Sequence, residues 1–378
     1  MFHRTLIAVT FTALAVCISI PASAATVYNF TSFDGPGSNG GGTTVDGINN
    51  NGDLVGFSSD NANTPTLFTD FIRDANGMVT LLSLGGDPLA MANGINSSGD
   101  VAGAFSNGTA FTLAGGTLLP LPNVNGNTLS ETAFGINDAG LIVGQYMDSI
   151  TGTTPGFLYN GSTFTILNPL VIATAVNAQG VNNNGLVTGF YSVDGVHQHG
   201  FFYNSATAQY TLAPDPNIPN LVLTQFLGIN DNGLAVGYYQ LPDGSQHGFL
   251  YDIATQSYTF VDDPNAALSG VSITQITGVN DAGEIAGFYV DSSTGLQRGF
   301  LATPAAPTPE PGTFGLLFGA LLAMAGAGRR LGTRASPGAK INQRPRPHEN
   351  RAPRPLGAAL LWVQAHILKS LRLTYPAS

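Results

Sequence analysis

Between residues 47 and 302 short apolar runs alternate with polar, glycine-bearing turns, and the alternation recurs. The pattern Gly-(Ile/Val)-Asn-x-x-Gly-x-x-x-Gly begins at Gly47, Gly94, Gly135, Gly180, Gly228 and Gly278, at intervals of 47, 41, 45, 48 and 50 residues. A period in this range marks a stacked or radial repeat architecture. Each Asn-x-x-Gly segment has turn chemistry, because Gly takes positive φ and Asn bonds its own backbone. The runs that follow (Leu54-Val55, Val101-Ala102, Ile142-Val143, Val187, Ala235-Val236, Ile285-Ala286) are apolar on successive residues or nearly so. That is the pattern of a strand buried on both faces. The Gly at the tenth position is expected where a neighbouring backbone approaches closely.

Further strands are expected within each repeat. One is read at Gly156-Phe157-Leu158-Tyr159, Gly200-Phe201-Phe202-Tyr203, Gly248-Phe249-Leu250-Tyr251 and Gly299-Phe300-Leu301, with looser equivalents at Phe71-Ile72 and Phe111. Another is read at Tyr210-Thr211-Leu212 and Tyr258-Thr259-Phe260-Val261, and a last one leads back into the next Gly-Ile-Asn. Three or four short strands per repeat of about 46 residues is the size of a propeller blade. The chain ends sharpen this. Val27-Tyr28-Asn29-Phe30-Thr31 and the Asp34-Gly35-Pro36 after it match Tyr258–Val261 and Asp262-Asp263-Pro264, whereas the last repeat stops near Leu301-Ala302. The N-terminus therefore supplies what the last repeat lacks, and pairing the two closes a ring without a free edge between them. The fold expected is all-β, a six-bladed β-propeller spanning residues 25–303. A linear β-solenoid is the alternative, though it has no need of this offset.

Composition agrees with tight turns and short strands: of 378 residues 48 are Gly and only 10% are charged. Between Ala25 and Thr308 there are 19 Asp and 2 Glu against Arg73 and Arg298, a balance of 2 − 21 = −19. Such a body repels nucleic acid and anionic membrane surfaces. Ten of the 13 basic residues lie from Arg329 onward. The only cysteine, Cys17, leaves no partner for an internal disulfide.

The most suggestive chemistry is Asp194, His197 and His199, with Asp243 and His247 at the matching place in the next repeat. Asp beside His suits metal binding or acid–base work. Pro155 and Arg298 stand at matching places elsewhere, so no ring of ligands exists, and turn histidines are the favoured reading. No catalytic residue, cofactor or metal is assigned. The Asn-Asp-x-Gly turns lack the alternating acids of a calcium loop, and turn stabilisation accounts for them.

The two ends carry targeting chemistry. Residues 1–24 read as a signal peptide: His3 and Arg4, an apolar stretch from Leu6 to Ile20, then Ala22-Ser23-Ala24 before the cleavage point. A membrane span is too long a reading for that stretch, and Leu14-Ala15-Val16-Cys17 is a lipobox with a bulky Val16. At the other end residues 304–311 form a Pro-rich linker ending in Pro309-Glu310-Pro311. Gly312 to Gly328 is uncharged, reaching ~25 Å as a helix, and Arg329-Arg330 holds its end on the cytoplasmic side. This tripartite order over Pro309–Arg330 resembles the PEP-CTERM sorting signal of Gram-negative bacteria. The resemblance implies recognition by an exosortase, a membrane-embedded processing enzyme, transient anchoring in the inner membrane, and association with exopolysaccharide and biofilm. Separately, Gly-Ile-Asn-x-x-Gly-x-x-x-Gly followed by His199-Gly200-Phe201 and His247-Gly248-Phe249 resembles the HAF family of extracellular repeats, with Gly in the middle of the tripeptide. Signals of the first kind end soon after their Arg cluster, whereas 48 residues follow Arg330 here. The basic, Pro-rich tail 329–378 is either a cytoplasmic extension or the product of a displaced stop codon.

Two readings of function emerge. One is an exported, non-enzymatic envelope or matrix protein that binds polysaccharide through the propeller loops. The other is a propeller hydrolase or lyase acting on polysaccharide, with Asp194, His199, Asp243 and His247 as its candidate residues.

Overall fold

The computed structural model describes residues 27–38, 40–266 and 271–305. The predicted signal peptide and nearly all of the linker, membrane segment and tail lie outside them. Among the described residues no helix is long and apolar enough to cross a membrane.

The described chain is all β. Strand β1 (Tyr28–Phe33) stands apart from the first full blade, which holds β2 (Thr43–Ile48), β3 (Leu54–Ser59), β4 (Phe68–Arg73) and β5 (Val79–Leu81). Blade 2 has β6 (Met91–Ile95), β7 (Val101–Ala104), β8 (Ala110–Ala114) and β9 (Thr117–Pro120). Blade 3 has β10 (Thr128–Ile136), β11 (Ile142–Asp148), β12 (Gly156–Tyr159) and β13 (Phe164–Leu167). Blade 4 has β14 (Ala175–Val181), β15 (Leu186–Ser192), β16 (His199–Asn204) and β17 (Gln209–Leu212). Blade 5 has β18 (Leu223–Ile229), β19 (Leu234–Gln240), β20 (Gln246–Asp252) and β21 (Ser257–Phe260), and blade 6 has β22 (Thr274–Val279), β23 (Ile285–Val290) and β24 (Gln297–Pro304).

Six four-stranded antiparallel sheets result, and the sixth has the order β1-β24-β23-β22. This is the six-bladed propeller expected from the repeats. The N-terminal strand supplies the missing fourth strand, with Tyr28 opposite Pro304 and Phe33 opposite Gly299. Ala305 N–H then donates to Val27 O at 2.7 Å, carrying the closure past the last paired residues.

Each motif is now resolved into separate physical roles. Its sixth residue (Gly52, Gly99, Gly140, Gly185, Gly233, Gly283) turns the inner strand into the second strand at φ between +74° and +82°, where side chains are strained. At the tenth (Gly56, Gly103, Gly144, Gly189, Gly237, Gly287) a Cβ would sit well inside 3.0 Å of an inner-strand carbonyl oxygen of the same blade. The first Gly follows a bulge in the inner strand of every blade and lies against the next blade; beside Gly94, for example, are Phe134 O and Gly135 Cα.

The third residue, Asn, closes the ring. Its Nδ2 donates to the backbone carbonyl of the matching Asn in the next blade: Asn49 to Asn96, Asn96 to Asn137, Asn137 to Asn182, Asn182 to Asn230, Asn230 to Asn280, and Asn280 back to Asn49. These distances run from 2.9 to 3.3 Å. Each Oδ1 accepts from the backbone N–H groups two and four residues on, at 2.9–3.1 Å. All six Asn are buried, so one amide both shapes its own turn and ties it to the next blade. At ~1 kcal/mol net per buried bond, the six inter-blade bonds contribute on the order of 6 kcal/mol, comparable with the whole stability of an ordinary domain.

The apolar core lies between blades. One cluster joins Val143 and Leu158 of blade 3 to Val176, Val187 and Phe201 of blade 4. Another joins Val236 and Leu250 of blade 5 to Ile276, Ile285 and Phe300 of blade 6.

Replacing Asn137 by Ala removes one bond to Asn182 and two within its own turn. The expected cost is about 2–4 kcal/mol, read as a lower midpoint in urea. Asn137→Asp keeps the acceptor but sets a carboxylate against Asn182 O, so it too is expected to lower the midpoint.

Candidate functional site

The motif turns occupy one face of the ring, so the longer loops share the other. The loop face carries the links from second to third strand and from fourth strand to the next inner strand. Isolated parallel bridges, Thr154 with Ala175, Gln198 with Leu223 and Gln246 with Ile273, tie the chain at or just before the third strand to the beginning of the inner strand, or the residue before it, in the following blade. Every histidine and aspartate singled out from the sequence, Asp194, His197, His199, Asp243 and His247, lies on this face.

The structure pairs them differently from their order in the chain. His197 Nδ1 lies 2.6 Å from Asp194 Oδ2, inside one exposed loop. Asp194 also accepts backbone N–H bonds from Val196 and His197, and the His197 hydrogen bond first among these holds its carboxyl well below the usual range. His199 is not joined to Asp194: its Nδ1 meets Asp215 Oδ2 at 2.7 Å. His247 likewise meets Asp262 Oδ2 at 2.7 Å, while Asp243 caps its own loop through Ser245.

A third member of the series explains the first two. Arg298 occupies the His position in blade 6 and forms a two-bond contact with Asp34, at 2.9 and 3.2 Å. In all three blades a second-strand Tyr (Tyr191, Tyr239, Tyr289) stands opposite the basic residue, and the Asp follows the fourth strand. The pair latches the third strand to the segment after the fourth. Arg cannot exchange a proton at these pH values, yet it fills the place as well as His does. The Asp262 hydrogen bond, ahead of the opposing desolvation, raises the His247 pKa. This latch is therefore complete below the ordinary His range and is lost as pH rises through the raised value. Among the described residues no group of three His, Cys, Asp or Glu is placed to hold a metal.

The more enclosed site lies on the ring axis. A cavity of about 200 Å³ is walled mainly by inner-strand residues one and three places before each first Gly. One ring of such positions holds Asp46, Asn93, Phe134, Gln179, Leu227 and Thr277; the other includes Thr44, Thr132, Asn177, Gln225 and Gln275. Phe57, Phe190 and Phe288 complete the wall from the second strands. The bulge turns the first set toward the axis. Several wall amides are already bonded: Asn93 to Ala133 O, Gln275 to Gln246, and Gln297 to Thr44.

Among the described residues Asp46 is the only ionisable side chain in this wall. Its Oδ2 is shielded from solvent and has no hydrogen-bond partner. Asp46 interacts with Asp70, which stands where blade 2 has Ala110 and blades 3 to 6 have Gly156, Gly200, Gly248 and Gly299. Gly200 lies against Phe226, Gly248 against Ile276 and Gly299 against Val45; blade 1 has the carboxylate instead, and the facing residue shrinks to Ala92, whose N–H donates to Asp70 Oδ1 at 2.8 Å. Burial first, and Asp70 second, push Asp46 up to about 8. Burial pushes Asp70 up to about 7.

Neither carboxyl was singled out from the sequence. The available signal was the alternation of polar Thr44 and Asp46 with apolar Val45 immediately before the motif, which marks an inner strand with one polar face.

No protein-family model matches the chain, and no curated protein sequence matches it. Among solved structures, TolB from Acinetobacter baumannii is 8% identical over 58% of this chain and 53% of its own, with a TM-score of 0.42. The match thus spans about half the length of that protein. A putative TolB from Agrobacterium tumefaciens is 12% identical over 57% and 74%, at 0.44. The Aleuria aurantia lectin is 12% identical over 71% and 97%, at 0.42. Likenesses this distant carry no functional argument; the blade count rests on the strand pairing itself.

Asp46→Asn removes a carboxyl that the fold prefers protonated. A folded-state pKa near 8 against an unfolded one of about 4 means the native state holds the extra proton between those values. Stability from this group therefore falls as pH rises from about 4 to 8. The variant is expected to melt near the parent at pH 4 and at least about 2 °C above it at pH 8, as read by thermal unfolding across the pH series.

Proposed function

We propose that this chain is an exported, non-enzymatic repeat protein of the cell envelope or extracellular matrix, sorted by an exosortase-type enzyme and binding polysaccharide on the loop face. The observation that carries the binding half is the division of the ring. The motif turns are occupied by the asparagine ring, while variable loops and an axial cavity share the opposite face. Amides, hydroxyls and aromatic faces around that cavity suit hydroxyl-rich ligands. The histidines support the non-enzymatic half, because His199 and His247 hold latches that Arg298 and Asp34 build equally well. The sorting half rests on Pro309-Glu310-Pro311, the apolar stretch to Gly328 and Arg329-Arg330.

One experiment addresses both halves. The full-length chain and a form lacking residues 309–330 are expressed in a Gram-negative host that carries an exosortase. Cells are fractionated, and the recovered protein is screened against polysaccharides for retention and for released sugar. Envelope retention that is lost on deletion, with binding and no released product, is the expected result. Unchanged retention of the deleted form defeats the sorting half. Sugar release that disappears in the Asp194→Ala/His199→Ala double variant, or in Asp243→Ala/His247→Ala, defeats the non-enzymatic half and establishes the hydrolase or lyase.

A further inference from the structure

Four features of the axial cavity bear on which ligand it takes. The first is Asp46, which lines the cavity and whose carboxyl makes no side-chain hydrogen bond among the described residues; Oδ2 is shielded from solvent, so Oδ1 is the oxygen a ligand reaches. A carboxyl on a cavity wall with no donor from the protein is left without a partner, and a charged donor pairs with it best. Among the described residues no cation stands in the wall, and the neighbouring Asp70 is a second acid that disfavours ionisation of Asp46. The second is the wall aromatics Phe57, Phe134, Phe190 and Phe288, whose ring faces attract cations once water is excluded. The third is the surrounding field: with a balance of 2 − 21 = −19 between Ala25 and Thr308, the body raises the local concentration of cations and repels anions.

The fourth feature lies across the axis. Blade 4 is three blades from blade 1 in either direction around the ring. It presents Asn177 and Gln179 to the same cavity, and among the described residues their side-chain amides make no hydrogen bond to protein. A ligand held at Asp46 by a positive group would therefore meet uncommitted amide donors and acceptors at its other end. The cavity, at about 200 Å³, is smaller than the ~300–1,000 Å³ of drug-sized sites. It has room for one small ring and not for a chain segment.

We infer that the axial cavity binds a primary ammonium carried on a single sugar ring, with Asp46 receiving the ammonium and Asn177 and Gln179 receiving ring hydroxyls. The ligand class is an amino sugar with a free amine, presented at the end of a glycan. This rests on the polysaccharide reading and narrows it. Neutral and N-acylated sugars bring no positive charge to pair with the carboxylate, and uronic acids are repelled. Binding exchanges one proton for one cation at Asp46: the carboxyl releases its proton to buffer and pairs with the ammonium.

The test is calorimetric titration of the full-length chain in detergent at pH 7, in amine-free buffer, with glucosamine, N-acetylglucosamine, glucose and ethanolamine. Glucosamine is expected to bind at least about ten-fold more tightly than the other three, with proton release seen by comparing two buffers of different ionisation enthalpy. Asp46→Asn should weaken glucosamine by at least ten-fold and abolish proton release. Gln179→Ala should weaken glucosamine while leaving proton release per bound ligand unchanged; this variant tests the far end of the site independently of Asp46. Equal binding of glucosamine, N-acetylglucosamine and glucose overturns the ammonium assignment and leaves the polysaccharide reading standing. Ethanolamine binding as tightly as glucosamine overturns the sugar assignment. If none of the four binds although the chain retains polysaccharide, the cavity is not the binding site and the inference fails alone.

Discussion

The structure depends on one repeated hydrogen bond, from each motif asparagine to the carbonyl of its counterpart in the next blade. A propeller is a ring of sheets with no continuous hydrogen-bonded ladder from blade to blade, so beyond isolated backbone bridges on the loop face the blades are joined by packing and by side chains. Here a single buried amide serves two directions. Its oxygen organises the turn that ends the inner strand, and its nitrogen reaches across to the next copy of that turn. Geometry of this kind requires the blades to approach closely at the axis, which is why glycine precedes the pair Ile/Val-Asn. It also requires a left-handed turn residue three places after the asparagine. The motif is the set of residues that these constraints leave available.

The ring also divides the molecule functionally. With the motif turns bonded to one another around one end of the axis, the opposite end gathers loops that differ between blades. The same positions carry Asp46, Asn93, Phe134, Gln179, Leu227 and Thr277 in successive blades, although the motif beside them hardly changes. Repetition builds a frame of near six-fold symmetry, and the wall chemistry breaks it. The strongest break is in blade 1, where Asp46 and Asp70 introduce two carboxyls whose pKa burial raises. At the rim, by contrast, His199, His247 and Arg298 repeat one structural device.

Much of the fold was legible in the sequence because its devices are local and repeated. The spacing of Gly and Asn exposed the blade unit, and the match between Val27–Thr31 and Tyr258–Val261 exposed the closure through β1. The tenth glycine was readable as a close approach. What was not legible is what depends on contacts between repeats. The asparagines read as turn formers, and nothing within one copy reveals that their amides reach the next. His199 and Asp194 are neighbours in sequence, but the strand geometry gives His199 to Asp215, 16 residues on. Asp46 reads as one more turn aspartate until the bulge before Gly47 turns it toward the axis.

The claim that the asparagine bonds bind six blades into one closed unit is tested most directly by hydrogen exchange on the Asn182→Ala chain under native conditions. If the ring is one cooperative unit, opening it between blades 4 and 5 lowers the protection of inner-strand amides in all six blades, including β2 and β6 on the far side. Loss of protection confined to β14, β18 and the turns beside them would contradict the account and reduce the asparagines to turn formers.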